Sequence, residues 1–148
     1  MKFEIKNVKV AEFASEETFC FEASLYVDGA RFCVVSNDGH GGPDNYYPVK
    51  GATNRDLYRE IERINSELDK TLESVVADLV AEYLIDKDIR RTMKRIAYTK
   101  GDGMVYALPA KYKPTEANLA AVKRASWWMP GYTILNEQPM EELRKYFY

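Results

Sequence analysis

Alternating apolar and polar positions predict three β-strands in the first 36 residues. Residues 19–27 alternate without interruption, with apolar side chains at the odd positions. A change of parity near Lys6–Asn7 predicts a bulge in the first strand. Asp28-Gly29 predicts a two-residue hairpin turn, because both central positions of a type I′ turn need positive φ. The sequence therefore opens with a β-meander.

The hairpin turn also sets a register between the second and third strands. In that register Leu25 faces Phe32, and Cys20 and Cys33 share one face of the sheet, about 13 Å apart at a rise of about 3.3 Å per residue. A disulfide tolerates a Cα separation of no more than about 7 Å. We therefore expect two free thiols, which suit a reducing compartment.

Apolar side chains then change to helical spacing. Residues 37–54 are polar and glycine-containing and predict a long loop. After it, seven apolar side chains from Leu57 to Leu79 recur three or four residues apart and predict one helix over residues 54–85, capped by Thr53 or Asn54. Such a stripe packs on its own sheet or on a second copy of the chain, so the pattern leaves a homodimer open.

Shorter signals complete the chain. Residues 96–99 and 104–108 flank a glycine-containing loop and predict a second hairpin. Pro114 begins a helix that Pro130-Gly131 ends, and Pro139 begins a last helix. The short run between these two helices favours a strand.

These elements predict an α+β fold in a single domain over residues 1–148. An antiparallel sheet, made of the N-terminal β-meander and a second hairpin, packs against one long amphipathic helix and two shorter C-terminal helices. With 148 residues, 46% of them hydrophobic, the chain can bury a core. No apolar run approaches the ~18–20 residues of a membrane span, and the N-terminus has no secretory pattern. We expect a cytoplasmic protein without a membrane partner.

The net charge of −2 hides a division along the chain. Residues 54–86 carry 4 basic and 9 acidic side chains, whereas residues 87–113 carry 8 and 2. The basic segment holds a candidate patch formed by Arg90, Arg91, Lys94 and Arg95. Tyrosines follow it, a combination typical of single-stranded nucleic-acid platforms, although a solvated face is the alternative. The near-zero net charge makes nucleic acid the less favoured partner.

The glycine-rich segment is the candidate ligand-binding loop. Glycines let backbone N–H groups turn toward an anion, so the loop could hold a nucleotide or phosphate; an irregular loop that needs positive φ is the alternative. Its residues are Asn37, Asp38, Gly39, His40, Gly41, Gly42, Asp44, Asn45 and Tyr46. His40 is the only histidine, so we expect no metal site, and any nucleophile–histidine pair would have to use this one residue. We expect no cofactor. The sequence favours a binding protein over an enzyme.

Aromatic residues indicate where such a protein would bind. Trp127 and Trp128 lie together near a predicted helix end, and one of them is expected in the core and the other at the surface. The chain has 11 tyrosines, a residue enriched at binding surfaces. Trp127, Trp128 and Tyr47 are therefore the candidate interface residues.

Two stretches resemble small accessory proteins of bacteriophages and prophages. They are Val34–Tyr47 (VVSNDGHGGPDNYY) and Ala107–Leu143, with KYKPTEANLAAVKRASWWMPGY at its centre. The resemblance carries no catalytic residues. It implies a setting in which such proteins inhibit host defence, as anti-CRISPR proteins do, by covering a surface of a host protein or complex or by sequestering a nucleotide signal. The expected location is then the host cytoplasm.

Overall fold

Four strands form an antiparallel sheet in chain order: β1 (Phe3–Val10), β2 (Cys20–Val27), β3 (Ala30–Asp38) and β4 (Asn45–Pro48). The computed structural model describes residues 1–148, which divide into unit 1, Met1–Ala81, and unit 2, Glu82–Tyr148. The predicted bulge is confirmed, because the β1–β2 register shifts between Lys6 and Lys9, and Asn7 has a φ of 53°. The division into one domain stays a prediction.

The fourth strand corrects the loop predicted over residues 37–54. Asn45–Pro48 pairs with β3, so only the part before it and a short segment after it are loop. Tyr46 is buried and Tyr47 is exposed, the alternation of a strand. Four residues are too few for that alternation to stand out beside the glycines.

The hairpin turn is confirmed, but its predicted register is wrong. Asp28 and Gly29 both have positive φ, 50° and 84°. A bulge at Phe32 then shifts β3 by one residue, so that Cys33 pairs with Leu25. The shift carries Asn37 to the buried face and Phe32 away from it.

The shifted register also changes the placement of the cysteines. Cys33 pairs with the buried Leu25, whereas Cys20 pairs with Asp38 on the opposite face of the sheet, not on the same face as predicted. Both thiols are free. Burial raises the pKa of the Cys33 thiol to about 12, so this thiol stays protonated and unreactive at neutral pH.

The prediction of a single long helix is also wrong. Two helices replace it, α1 (Asn54–Glu67) and α2 (Leu72–Thr92). Leu68 takes an extended conformation with a ψ of 149°, and the side chain of Asn65 accepts a hydrogen bond from the Leu72 amide at 2.7 Å. That bond caps α2 within the break, and α2 continues to Thr92, beyond the predicted helix end at residue 85.

The apolar stripe of α1 is buried. Leu57, Ile61 and Ile64 are all less than 8% exposed, and α1 packs on β4, where Tyr58 meets Tyr46 edge to face at 6.4 Å. Thr53 caps α1 by accepting from the Asp56 amide, as predicted. The stripe is therefore not free to form a seam with a second chain.

Unit 2 has its own antiparallel sheet, in the order β6, β5, β7. The strands are β5 (Ala97–Thr99), β6 (Tyr106–Ala107) and β7 (Thr133–Ile134), so the second hairpin and the strand predicted between the last two helices are confirmed. The prediction that the hairpin joins the N-terminal sheet is wrong, because these strands form a separate sheet. Helix α3 (Glu116–Lys123) begins after the Thr115 cap and ends earlier than predicted, and α4 (Met140–Phe147) follows Pro139 as predicted. The α+β class is confirmed. None of the four helices is long and apolar enough to cross a bilayer.

The helix break gives a stability prediction. Asn65→Ala removes the side-chain acceptor of the Leu72 amide, and we expect the free energy of unfolding to fall by about 1 kcal/mol. Urea denaturation measures the change. Glu62→Ala, on the exposed face of the same helix, is the control and should change the value by less than about 0.5 kcal/mol. An equal loss in both variants would contradict the capping role.

Candidate functional site

A buried asparagine organises the glycine loop. Asn37 is 6% exposed and uses both ends of its amide. Its Nδ2 donates to the Gly42 carbonyl and to the Asp44 carboxylate, both at 3.0 Å. Its Oδ1 accepts from the Thr18 hydroxyl at 2.7 Å and from the Gly39 amide at 2.9 Å. One side chain therefore fixes both halves of the loop.

The loop is also held against residues 14–18. The Gly39 carbonyl accepts hydrogen bonds from the amides of Glu16, Glu17 and Thr18. Gly39 has a φ of 88°, and a Cβ there would collide with the carbonyl oxygen of Ala14. The irregular, positive-φ conformation is thus required by this close approach.

The amides of the glycine loop are largely occupied. His40 N donates to Asp38, Gly41 N donates to the Thr18 hydroxyl, and Asp44 N donates to Glu73 at 2.6 Å. A phosphate nest needs free N–H groups that converge on the anion. The geometry gives no such convergence here.

A cavity of about 440 Å³ lies beside the loop in unit 1, and it is acidic. Four acidic residues, Glu16, Glu17, Asp44 and Glu73, line it together with the apolar Phe19 and Phe21. Burial raises the pKa of the Asp44 carboxyl; the Asn37 hydrogen bond opposes this, and the nearby Glu73 adds to it. The cavity therefore disfavours a phosphate.

The remaining loop residues are divided between the surface and the sheet. His40 is exposed, with its Nδ1 3.2 Å from Glu16. Asn45 and Tyr46 belong to β4, where burial raises the pKa of the Tyr46 hydroxyl. No three His, Cys, Asp or Glu side chains of the chain gather into a set that could hold a metal ion.

The predicted basic patch is divided. Arg90 and Arg91 lie in the last turn of α2, with Lys94 and Arg95 directly after it. Arg91 pairs with Asp88, and Arg95 donates from Nε to the Leu108 carbonyl at 2.7 Å. Arg90 and Lys94 are exposed without an ion pair. Two of the four side chains therefore serve local structure.

Aromatic side chains of unit 2 gather around Tyr98 on β5. Its ring lies 5.3 to 6.2 Å from four others, and the two tyrosines among them stack on it at 23°. We call this set the aromatic cluster: Tyr98, Tyr106, Trp127, Trp128 and Tyr132. Trp128 is half-buried and Trp127 is 41% exposed, which identifies the surface tryptophan.

An open groove of about 470 Å³ lies beside the aromatic cluster. Apart from Asn118, its lining residues are aliphatic or aromatic. We call it the groove, and its lining is Ile96, Tyr98, Leu108, Tyr112, Asn118, Ala121, Val122, Ala125 and Trp127. Tyr112 and Trp127 stand partly in solvent, at 46% and 41% exposure. Lys111 lies over the Tyr112 ring at 5.1 Å, and Lys100 over Tyr106 at 4.4 Å.

Sequence reasoning identified Trp127 and the tyrosines but not the groove. Two small side chains, Ala121 of α3 and Ala125 after it, line the groove together with the aromatic rings. A small-residue helix following an aromatic hairpin was the available signal. Tyr47, the third candidate interface residue, is exposed on β4 in unit 1, away in sequence from this cluster.

The cavity gives a prediction of pH dependence. Because burial raises the pKa of Asp44, the folded state holds its proton more tightly than the unfolded state, and stability falls as pH rises from the unfolded pKa through the folded one. Asp44→Asn removes this loss and should stabilise the protein at neutral pH. The gain should disappear below about pH 3.9, the ordinary carboxyl value. Thermal unfolding of both proteins across pH measures it; a gain independent of pH would contradict the explanation.

The close approach at Gly39 gives a second prediction. Gly39→Ala places a Cβ against the Ala14 carbonyl at positive φ, and we expect a loss of about 2–4 kcal/mol in denaturant unfolding. Gly42→Ala is the control, because a Cβ there meets nothing within 4 Å. Equal stability of the two variants would mean that the loop does not hold this conformation in solution.

Comparison with known proteins leaves the site to be interpreted from its own chemistry. The chain matches no protein-family model, no curated protein and no solved structure.

Proposed function

We propose that this chain is a binding protein that acts by protein–protein contact, with the groove of unit 2 as its docking surface. The carrying observation is an open apolar groove bordered by the exposed Trp127 and Tyr112. Rigid aromatic side chains beside a pocket dominate the energetics of many interfaces. Trp127 is held by its contacts with Tyr98 and Trp128, so it loses little conformational freedom on binding.

The charge around the groove indicates an acidic partner segment. Unit 2 carries 12 basic and 8 acidic side chains. Four of the basic ones form ion pairs, namely Arg91, Lys123, Arg144 and Lys145. Lys111 contacts the ring of the groove residue Tyr112. Two further basic residues adjoin groove residues in the sequence, Lys113 after Tyr112 and Arg124 before Ala125. None of the three has an acidic partner. A segment with an apolar anchor and flanking carboxylates would complement this surface.

Single-stranded nucleic acid is a second candidate for the same face. Stacked tyrosines with Lys100 over Tyr106 support it. Against it, the Tyr106 hydroxyl donates to Asp102 at 2.6 Å, and this bond lowers the pKa of the Asp102 carboxyl, so a negative charge stays beside the ring. A carboxylate there repels a phosphate backbone, and we favour the protein partner.

Two further expectations stay predictions. One is a nucleotide or phosphate in the glycine loop, for which the occupied amides and acidic cavity offer no support. The other is the phage-type setting, with a host defence protein or complex as the partner covered by this chain.

The groove yields a binding prediction. Ala121 is exposed and lines the groove, so Ala121→Glu fills it and adds a charge that repels an acidic segment without disturbing the core. We expect proteins enriched on the wild-type chain from lysate of its host to be lost on this variant by at least about tenfold, the loss typical of a blocked hot spot. Quantitative mass spectrometry of the captured material measures the enrichment.

A matched variant and a nuclease treatment complete the experiment. Ala52→Glu makes the same change at an exposed position of unit 1 and should keep the wild-type set of captured proteins. Capture unaffected by Ala121→Glu would refute the groove as the docking surface. Capture that nuclease treatment abolishes would favour nucleic acid instead.

A further inference from the structure

Phe13 is an exposed aromatic side chain on an otherwise ordered turn. It is 95% exposed, more than any other large apolar side chain of the protein. It lies in the short 3-10 turn Glu12–Ala14 between β1 and β2. Exposing a phenyl ring to water costs free energy in proportion to its apolar surface, so a contact that covers Phe13 would be favourable.

The turn that carries Phe13 is rigidly supported. The Ala14 amide donates to the Ala11 carbonyl, and the Ser15 amide donates to the Glu12 carbonyl, both at 3.1 Å. The Ser15 hydroxyl bonds the Ala11 carbonyl and accepts from the Cys20 amide, each at 2.9 Å. The ring is therefore presented on a fixed support, which reduces the entropy lost when it docks.

Carboxylates surround Phe13 in the sequence. Glu12 precedes it, and Glu16 and Glu17 follow it; all three are exposed. Glu16 contacts His40, while Glu12 and Glu17 have no basic partner. Unit 1 as a whole carries 9 basic and 15 acidic side chains. Residues 12–17 thus have the chemistry that the groove requires: an apolar anchor between unpaired carboxylates.

We propose that the groove of one chain binds the Phe13 turn of a second copy, so that the protein associates head to tail. This inference rests on the proposed function, because it uses the groove as a docking surface and names one occupant. The groove is large enough for a phenyl ring and apolar on its lining. Lys111, Lys113 and Arg124 offer the charges that Glu12 and Glu17 lack.

The geometry of the contact determines the form of the assembly. The turn and the groove are different surfaces on different units. Each chain therefore inserts its Phe13 turn into one neighbour and binds the turn of another neighbour in its own groove. Such a heterologous contact forms a ring where the rotation closes, or an open chain where it does not. A foreign acidic segment would compete with the second copy for the same groove.

Sedimentation velocity of the full chain over a wide concentration range tests the proposal. The wild type should increase in mass with concentration, and added salt should weaken the association because it screens the carboxylates and lysines. Phe13→Ala should raise the dissociation constant by at least about tenfold while leaving the fold unchanged, because the ring makes so little contact in its own chain. Tyr148→Ala, at an aromatic side chain that is 80% exposed, is the control and should associate as the wild type does.

A mixing experiment tests the head-to-tail arrangement. Phe13→Ala keeps the groove and Ala121→Glu keeps the turn, so each variant alone should be monomeric. Their mixture should form a dimer and nothing larger. A wild type that is monomeric at every concentration, an association that Phe13→Ala leaves intact, or a mixture that stays monomeric would overturn the proposal. The capture experiment with Ala121→Glu and foreign proteins is independent of these results and still tests the proposed function.

Discussion

The packing of four aromatic rings around Tyr98 is the interaction on which the candidate site depends. Tyr98 is on the central strand of the unit 2 sheet, and its ring contacts one tyrosine from β6, one just before β7, and both tryptophans after α3. These contacts join segments about 30 residues apart in sequence into one surface. Because Tyr98 and Trp128 hold the Trp127 ring in place, this ring borders the groove in a fixed position.

A polar side chain that follows β7 in the sequence supports the same arrangement. Asn136 accepts a hydrogen bond from the Ala97 amide at 2.8 Å and donates to the carbonyls of Met93 and Arg95. It thereby joins the entry to β5 with the segment after β7. Ile96, Val122 and Ile134 form one buried cluster, and Ile96 and Val122 also line the groove. The aromatic cluster therefore lies on a strand whose start is fixed by Asn136.

Asn37 has the corresponding role in unit 1, and it decides what the glycine loop is. A loop whose amides already bond to Asp38, Thr18 and Glu73 is structurally complete without a ligand. The glycines are needed there because the chain passes close to Ala14, and that need explains a glycine-rich segment without a phosphate. The Gly39 carbonyl also accepts from the amides of residues 16–18, which follow the turn that presents Phe13.

The sequence predicted individual strands and turns better than it predicted strand register, helix breaks and surface shape. Alternation and the Asp28-Gly29 pair were enough for the hairpin, because both express local geometry. The bulge at Phe32 was not visible, since it depends on burying Asn37, whose partners at Thr18 and Gly42 lie in two different segments. The break between α1 and α2 was hidden because Leu68 and Leu72 continue the apolar spacing across it. The feature that marks the break is the side chain of Asn65, which accepts from the Leu72 amide at the start of α2. Trp127 was identifiable, but the groove also needs Ala121 and Ala125, whose place beside the aromatic rings only the structure shows.

What covers the groove is the central question, and a photocrosslinker at its rim measures it most directly. Tyr112 is exposed there, so Tyr112→p-benzoylphenylalanine keeps an aromatic side chain while making it reactive, with the exposed Tyr58 of α1 as the control position. Irradiated protein, digested and sequenced by mass spectrometry, should show crosslinks from position 112 to an acidic segment with a large apolar residue, including residues 12–17 of a second copy. Crosslinks equally frequent from position 58, or none from position 112, would contradict the account.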